Sequence, residues 1–142
     1  MRARRAGCNV DMKPSQIKQS LALHDSGVQS ISYAAGEGIV RVRVDLCNYA
    51  QPGYREGEPE LVPGTLEFTG VSRVEAKPEL ASFAWAEDQL DGEILEVKPL
   101  PAPAPTEDGV ELVIHTMDYR TRARDILLLR IFGGEVKWTA DA

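Results

Sequence analysis

The chain has 142 residues and a formal net charge of −6 at pH 7. This length suits one domain with its own hydrophobic core. The longest apolar run, residues 126–129, is far shorter than the roughly 20 residues of a membrane-spanning helix, so no membrane span is expected. The two cysteines, Cys8 and Cys47, do not indicate a disulfide framework, and they favour reduced thiols and a cytoplasmic location.

Charge is distributed unevenly along the chain. Residues 1–24 hold five basic side chains and one acidic side chain, so the remainder carries a net charge of −10. Because phosphate binding depends on lysine and arginine, this balance argues against nucleic acid and favours a basic protein as partner. Residues 1–12 are expected to form a flexible basic segment without the apolar stretch of a secretory leader. Residues 13–142 are expected to form a single β-rich domain.

A short helix is predicted at residues 16–23. Ser15 is the candidate N-cap, and Ile17 and Leu21 share one apolar face at a spacing of four residues. A helix of about two turns is marginal in isolation, so this face is expected to dock on the rest of the domain.

The sequence His24-Asp25-Ser26 follows the predicted helix and contains the residue types of a serine hydrolase. Adjacent residues cannot converge as a catalytic triad, and no G-x-S-x-G element accompanies them. The favoured interpretation is a structural corner, in which Asp25 or Ser26 accepts backbone N–H bonds while His24 donates to a carbonyl or carboxylate. Replacing Asp25 by alanine should then cost stability on the order of 0.5–2 kcal/mol, as for a lost cap.

Most of the remaining chain alternates apolar and polar residues, as half-buried strands do. The clearest strand is 39–46, whose even-numbered residues from Val40 to Leu46 are apolar while its odd-numbered residues are mostly charged. The segment 34–38, which contains Gly36 and Gly38, predicts a turn and a hairpin back to a strand at 28–33. Gly133-Gly134 predicts a second hairpin between strands 126–132 and 135–139.

Further strands are predicted at 65–74, 93–98 and 110–117, while residues 79–91 are compatible with helix or strand. The predicted fold is mainly β, α+β at most: an antiparallel sandwich or a sharply bent sheet of about seven strands, with one short N-terminal helix. A long loop is predicted at 48–64, of a length that is often functional or mobile, and a stiff proline-rich spacer at 99–105.

An acidic tract lies between residues 84 and 111, where eight carboxylates face only one lysine. A field of one sign steers a basic partner towards its site, although acidity also serves solubility alone. The candidate interaction residues are Glu87, Asp88, Asp91, Glu93 and Glu96.

The ionisable residues do not form a recognisable metal or catalytic motif. His24 and His115, even with Asp118 nearby, lack the paired spacing of zinc ligands. No catalytic residue, metal or cofactor is therefore predicted, and no enzymatic activity is expected.

The pattern Leu23-His24-Asp25-Ser26-x-Val28-x-x-Ile31, followed by the segment at 64–71, is similar to one in small uncharacterised bacterial β-rich proteins. Some of these resemble immunity proteins of polymorphic-toxin systems. The resemblance implies a single β-rich domain, no known catalysis and, for the immunity members, a protein partner.

The leading functional prediction is a non-enzymatic bacterial domain that binds a basic protein through an acidic surface. The most specific version of this prediction is that the domain neutralises a toxin. The alternatives are a small-ligand binding module or hydrolase that uses the His24 and Asp25 region, and a purely structural subunit. The sequence leaves the oligomeric state open.

Overall fold

The computed structural model describes residues 10–78, 90–100 and 107–141. In these ranges the chain forms nine β-strands and one short α-helix, α1 (Ile17–Ser20), which follows a 3₁₀ turn at Pro14–Gln16. The strands are β1 (Val10–Met12), β2 (Gly27–Ala34), β3 (Ile39–Cys47), β4 (Leu61–Thr69), β5 (Arg73–Lys77), β6 (Leu90–Leu100), β7 (Gly109–Asp118), β8 (Arg124–Phe132) and β9 (Glu135–Ala140). No helix in the described ranges is long and apolar enough to cross a membrane.

The strands pair antiparallel in one continuous sheet of order β1-β9-β4-β3-β2-β6-β7-β8-β5. The predictions of a mainly β fold, antiparallel pairing and one short N-terminal helix are confirmed. The predicted number of seven strands is wrong, because residues 10–12 of the predicted flexible segment form β1 against β9. In addition, the predicted strand 65–74 is divided by Gly70, whose φ of +65° interrupts the extended backbone between β4 and β5. The nine strands belong to one hydrogen-bonded sheet, whereas a sandwich consists of two stacked sheets.

The two predicted hairpins have different outcomes. The β2–β3 hairpin is confirmed, with Ala34 opposite Ile39. The hairpin at Gly133-Gly134 is wrong, because β8 pairs with β7 and β5 whereas β9 pairs with β4 and β1. The two glycines carry the chain from one part of the sheet to another, and the Gly133 N–H donates to the Asp108 carbonyl at 2.6 Å. Paired glycines permit a tight turn, but they do not decide which strands pair.

The helical segment docks on the core as predicted, with Ile17 and Leu21 almost fully buried. The expected N-cap is wrong. Lys13 occupies the N-cap position of the 3₁₀ turn, and Ser15 instead donates its backbone N–H and its hydroxyl to the Asp108 carboxylate at 2.7 and 2.6 Å. This contact ties the helical segment to the residue just before β7.

The core lies along the inner faces of the strands. The alternation predicted for β3 is confirmed, since Val40, Val42, Val44 and Leu46 are each at most 1% exposed. Trp138 of β9 is the largest of the fully buried side chains among the described residues. The apolar period of two therefore selects the buried face of each strand.

The outer face of β3 and its neighbours is covered by ion pairs. Arg41 pairs with Glu67 of β4 at 2.8 Å, and Arg43 forms two parallel hydrogen bonds of 2.9 Å with Asp141. A bidentate arginine–carboxylate pair is stronger and more directional than a single contact. It fastens the end of β9 across the sheet to β3.

The Arg43–Asp141 pair predicts a measurable titration. The hydrogen bond from Arg43 lowers the pKa of Asp141 below its ordinary value, against a smaller opposing effect of burial. A depressed carboxyl pKa stabilises the fold above the unfolded-state value, about 3.9, and this contribution is lost as pH falls through the folded-state pKa. Carboxyl-carbon NMR should show Asp141 titrating at lower pH in the parent than in the Arg43→Gln variant. Arg41→Gln, which breaks the Glu67 pair, should leave this midpoint unchanged.

Candidate protein-binding surface

The corner between α1 and β2 is built around Ser26. Its side chain is fully buried, and its hydroxyl accepts the Cys47 backbone N–H at 2.9 Å. Asp25 donates its N–H to the Ile94 carbonyl, and Ile94 donates its own N–H to the Ser26 carbonyl, both at 2.9 Å. The corner is thus hydrogen-bonded to both β3 and β6, and a hydroxyl in this position is not exposed for nucleophilic attack.

His24 and Asp25 lie at the surface of this corner. The His24 Nδ1 atom is 3.2 Å from the Asp25 carboxylate, and their side chains are 68% and 49% exposed. The Asp25 backbone has a φ of +70°, in the left-handed region that few non-glycine residues adopt. The hydrogen bonds that the Asp25 N–H and the Ser26 carbonyl form with Ile94 hold the backbone in this conformation.

This backbone conformation changes the reason for the expected effect of Asp25→Ala. The left-handed backbone conformation costs an alanine residue about 1–2 kcal/mol. Glycine adopts this conformation without that cost, and aspartate tolerates it better than alanine does. We expect urea denaturation to rank Asp25→Gly at least level with the parent and Asp25→Ala about 1 kcal/mol below the glycine variant. Equal stability of the alanine and glycine variants would show that the side chain, and not the backbone, sets the cost.

The chain after β3 forms an ordered loop that packs on the corner. β4 begins at Leu61, so the last residues of the predicted loop 48–64 are in a strand. Gln51 is 6% exposed, and its side chain accepts the Ala22 N–H and donates to the carbonyls of Ala22 and Cys47, at 2.9, 2.7 and 2.8 Å. Asn48 closes the base of the loop through bonds of 2.8 Å to the carbonyls of Pro59 and Glu60. The corner and the loop are therefore one hydrogen-bonded unit.

This unit presents Tyr49 and Leu61 to solvent. Each is 54% exposed, more than the other large hydrophobic residues of the described chain. A hydrogen bond with the Cys47 thiol raises the pKa of Tyr49, and the negative charges of Asp25 and Glu60 add smaller contributions in the same direction. Glu60 belongs to the same loop base as Tyr49, because its carbonyl accepts the Asn48 N–H.

A second group of carboxylates adjoins the corner in the sheet. Asp45, Gly27, Glu93 and His115 occupy one row across β3, β2, β6 and β7. Neighbouring strands are about 4.8 Å apart, so the backbones of Asp45 and Glu93 are separated by about 10 Å with only a glycine between them. A cavity of about 370 Å³ opens on this row, and its lining includes Gly27, Asp91, Glu93, His115 and Arg124.

The predicted interaction residues are only partly brought together. Glu87 and Asp88 lie outside the described residues. Asp91 and Glu93 are exposed and border the same cavity, whereas Glu96 lies 3.8 Å from Lys98.

Other carboxylates of the same acidic tract have structural contacts. Glu111 is 4% exposed and receives a hydrogen bond of 2.7 Å from Arg130. Asp108 holds Ser15, and Glu107 accepts a hydrogen bond from the Ser72 hydroxyl. The tract is therefore not one continuous surface, because several of its charges are used to join elements of the fold.

The two histidines line different cavities. His24 borders a mainly apolar cavity of about 310 Å³ with Leu21, Leu23 and Val97, while His115 borders the cavity beside Glu93. Within the described ranges, no group of three or more histidine, cysteine, aspartate or glutamate side chains is arranged to hold a metal ion. The histidines thus do not meet in a shared site.

The carboxylates around the corner have no lysine or arginine partner within the described residues. Asp25, Asp45, Glu60 and Glu93, here called the acidic face, form no ion pair with any lysine or arginine of the described chain. Glu67, Glu75, Glu96, Glu111 and Asp141 each have such a partner. Asp11, Glu37 and Glu135 of the described chain also lack such a partner, so what distinguishes the acidic face is the clustering of its carboxylates around the corner.

Sequence reasoning identified the corner but missed Tyr49, Glu60 and Gln51. The only signal was the unusual length of the loop that contains them. Comparisons with protein-family models, with curated proteins and with solved structures found no match.

Proposed function

We propose that this chain is a non-enzymatic protein-binding domain that receives a basic protein on its acidic face. The observation that carries the proposal is the clustering around the corner of carboxylates without a lysine or arginine partner, two of which, Asp45 and Glu93, are separated only by Gly27. Four carboxylates without a lysine or arginine partner supply an attractive field that a cationic surface would neutralise, and the adjoining loop exposes Tyr49. Tyrosine and other aromatic residues are enriched where protein interfaces bury their central contacts.

The ordered loop supports the same proposal. The side chains of Gln51 and Asn48 fix the backbone that carries Tyr49 and Glu60. A surface that is rigid before binding loses less conformational entropy on association. The loop therefore suits recognition without rearrangement.

The experiment compares partner capture by two charge-matched variants. Asp45→Asn/Glu60→Gln/Glu93→Gln removes three charges from the acidic face, and Asp11→Asn/Glu37→Gln/Glu135→Gln removes three exposed charges elsewhere. The expected result is a protein retained from lysate of the source cells by the parent and the control, but lost by the first variant. Equal retention by all three proteins, or recovery of no protein by the parent, would contradict the proposal.

Toxin neutralisation in the bacterial cytoplasm is the sharper form of this proposal, and it rests on the resemblance of residues 23–31 and 64–71 to immunity-like proteins. It predicts that co-expression restores growth to cells producing the product of an adjacent toxin reading frame. The acidic-face variant should fail to restore growth, while the charge-matched control should succeed. An adjacent reading frame unrelated to toxins would remove this form and leave the general one.

A small-ligand binding module is the second candidate, and the cavity between α1 and β6 favours it. At about 310 Å³ it lies at the lower end of the range for ligand pockets, and Leu21, Leu23 and Val97 line it. Filling the cavity with Ala22→Phe would block such a ligand without changing the acidic face. Partner capture that survives this substitution would favour the protein-binding function.

A further inference from the structure

The cavity between α1 and β6 is bounded by two stretches of backbone. β6 pairs with β7 from Leu90 to Leu100, but β2 pairs with it only at Gly92 and Glu93. Ile94 then bonds to the corner, and beyond it no strand of the described chain covers this edge of β6. Residues 21–23 lie there instead, and the cavity of about 310 Å³ separates them from residues 95–97.

The cavity has an apolar interior and a charged rim. Leu21 and Leu23 are each 2% exposed, and Val97 is 6% exposed, so these side chains form its inner walls. The charged residues that border it are all exposed to solvent, and they are Lys18, His24 and Glu96. A ligand that fills the interior therefore presents an apolar group to it.

Two backbone groups beside the cavity have no partner. Gln51 binds both the N–H and the carbonyl of Ala22. These peptides are trans, and the N–H and the carbonyl of a trans peptide point in opposite directions. The Leu21 carbonyl and the Leu23 N–H complete the same two peptides, so both point away from Gln51. Within the described part of the chain neither group has a hydrogen-bond partner.

Both groups are directed at the cavity and not at bulk solvent. Leu21 and Leu23 are almost fully buried and border the cavity, whereas Gln51 does not border it. A buried backbone group without a partner is costly and is therefore rare in folded proteins. Water would satisfy the two groups, but it would also wet the apolar walls around them. A carbonyl and an N–H on an apolar ligand would satisfy them without that cost.

The order of the two groups along the chain defines the complementary ligand. In an antiparallel pair, the carbonyl before one residue and the N–H after it bond to the N–H after the opposite residue and the carbonyl before it. The residue opposite Ala22 would thus carry an acyl carbonyl on its amino side and an amide N–H on its carboxyl side. The cavity lies at the lower end of the range for ligand pockets, which limits the ligand to about one such residue.

We propose that this cavity binds a small peptide-like ligand, one extended apolar amino-acid residue with an acylated nitrogen and an amidated carboxyl group. Its acyl carbonyl accepts the Leu23 N–H, its amide N–H donates to the Leu21 carbonyl, and its side chain occupies the apolar interior. The site uses no residue of the acidic face. The inference therefore goes beyond the protein-binding function, and it rests on the small-ligand candidate, to which it assigns a chemical class.

The test titrates three probes into the isotope-labelled full chain and follows backbone amide shifts. N-acetyl-leucine-N-methylamide should give saturable changes at residues 21–24 and 95–97, with the Leu23 amide proton moving downfield as it gains an acceptor. N-acetyl-leucine methyl ester lacks the N–H for the Leu21 carbonyl and should bind about 3- to 10-fold more weakly, the ratio that one hydrogen bond contributes. N-acetyl-glycine-N-methylamide lacks the apolar side chain and should bind roughly ten-fold more weakly or less.

A pair of variants locates the site. Ala22→Phe fills the cavity and should abolish binding of the leucine amide. Ala35→Phe places the same ring in the exposed β2–β3 turn and should bind like the parent. The comparison of the three probes uses the parent alone, so it decides the question even if Ala22→Phe fails to fold.

Three results would overturn the site: no saturable shift changes, equal affinity for the amide and the ester, or binding that persists in a folded Ala22→Phe protein. Tighter binding of N-acetyl-alanyl-leucyl-alanine-N-methylamide than of the single residue would overturn the small ligand, because it would assign the cavity to a segment of another protein. Capture of a basic protein by the acidic face is measured with different variants. Failure of either proposal is thus distinguishable from failure of the other.

Discussion

Replacing Gly134 by alanine is expected to destabilise the fold by about 3–5 kcal/mol or to prevent folding, a range reached by few single substitutions. A Cβ atom on Gly134 would overlap the carbonyl oxygen of Thr69, and it would lie 2.9 Å from the Gly70 carbonyl carbon. The φ of +72° adds the left-handed penalty of an alanine, about 1–2 kcal/mol. Both backbones would have to move, because neither obstacle is a flexible side chain.

The matched control for this prediction is Gly36→Ala in the β2–β3 turn. A Cβ atom on Gly36 meets nothing within 4 Å, and its φ is not in the left-handed region. Urea denaturation should place this control within about 0.5 kcal/mol of the parent. If the Gly134→Ala protein is as stable as the control, the backbone segments that link β4 to β5 and β8 to β9 can move apart without a measurable loss of stability.

Replacing Gln51 by alanine has the second-largest expected effect, a loss of about 2–4 kcal/mol. The substitution removes three hydrogen bonds and leaves the Ala22 N–H and two carbonyls without those partners in a buried site. Each net hydrogen bond contributes about 1 kcal/mol, and a buried group left unsatisfied costs about 1–3 kcal/mol. The exchange rate of the Ala22 amide hydrogen should rise by a larger factor than the loss of global stability alone would produce.

This substitution also connects stability with the proposed function. Gln51 carries no charge and is buried, yet it fixes the loop that presents Tyr49 and Glu60. We expect Gln51→Ala to weaken partner capture although every residue of the acidic face is retained. Gln19→Ala on the exposed side of α1 is the control, and it should change neither stability nor capture by a measurable amount. Unchanged capture by the Gln51 variant would mean that the loop does not need to be held for recognition.

Local sequence patterns predicted the elements of this fold better than their arrangement. The alternation along β3 placed its buried face correctly, and the glycines at 36 and 38 located the β2–β3 hairpin. These successes share one physical origin, since side-chain alternation and turn conformation depend on residues a few positions apart. Gly133-Gly134 shows where such reasoning stops. Its glycines permit several backbone paths, and the pairing of β9 with β4 decided among them.

The candidate site was predictable only in part for the same reason. The corner was visible as a polar interruption after an apolar helix, and Ser26 was among the residues named for it. The contact of Gln51 with Ala22 spans 29 residues, and that of Ser15 with Asp108 spans 93. No periodicity or local motif encodes such contacts, because they form only after distant strands have paired.

The sequence by itself determined that this protein is small, acidic and rich in antiparallel strands, because composition and alternation act through local chain geometry and overall charge. Only the tertiary structure decided which acidic residues acquire basic partners and which do not. Pairing across the sheet brought Arg43 to Asp141 and Arg130 to Glu111, and it placed Gly27 between Asp45 and Glu93. An ion pair requires two side chains to approach within a few ångströms, and that distance is set by strand register.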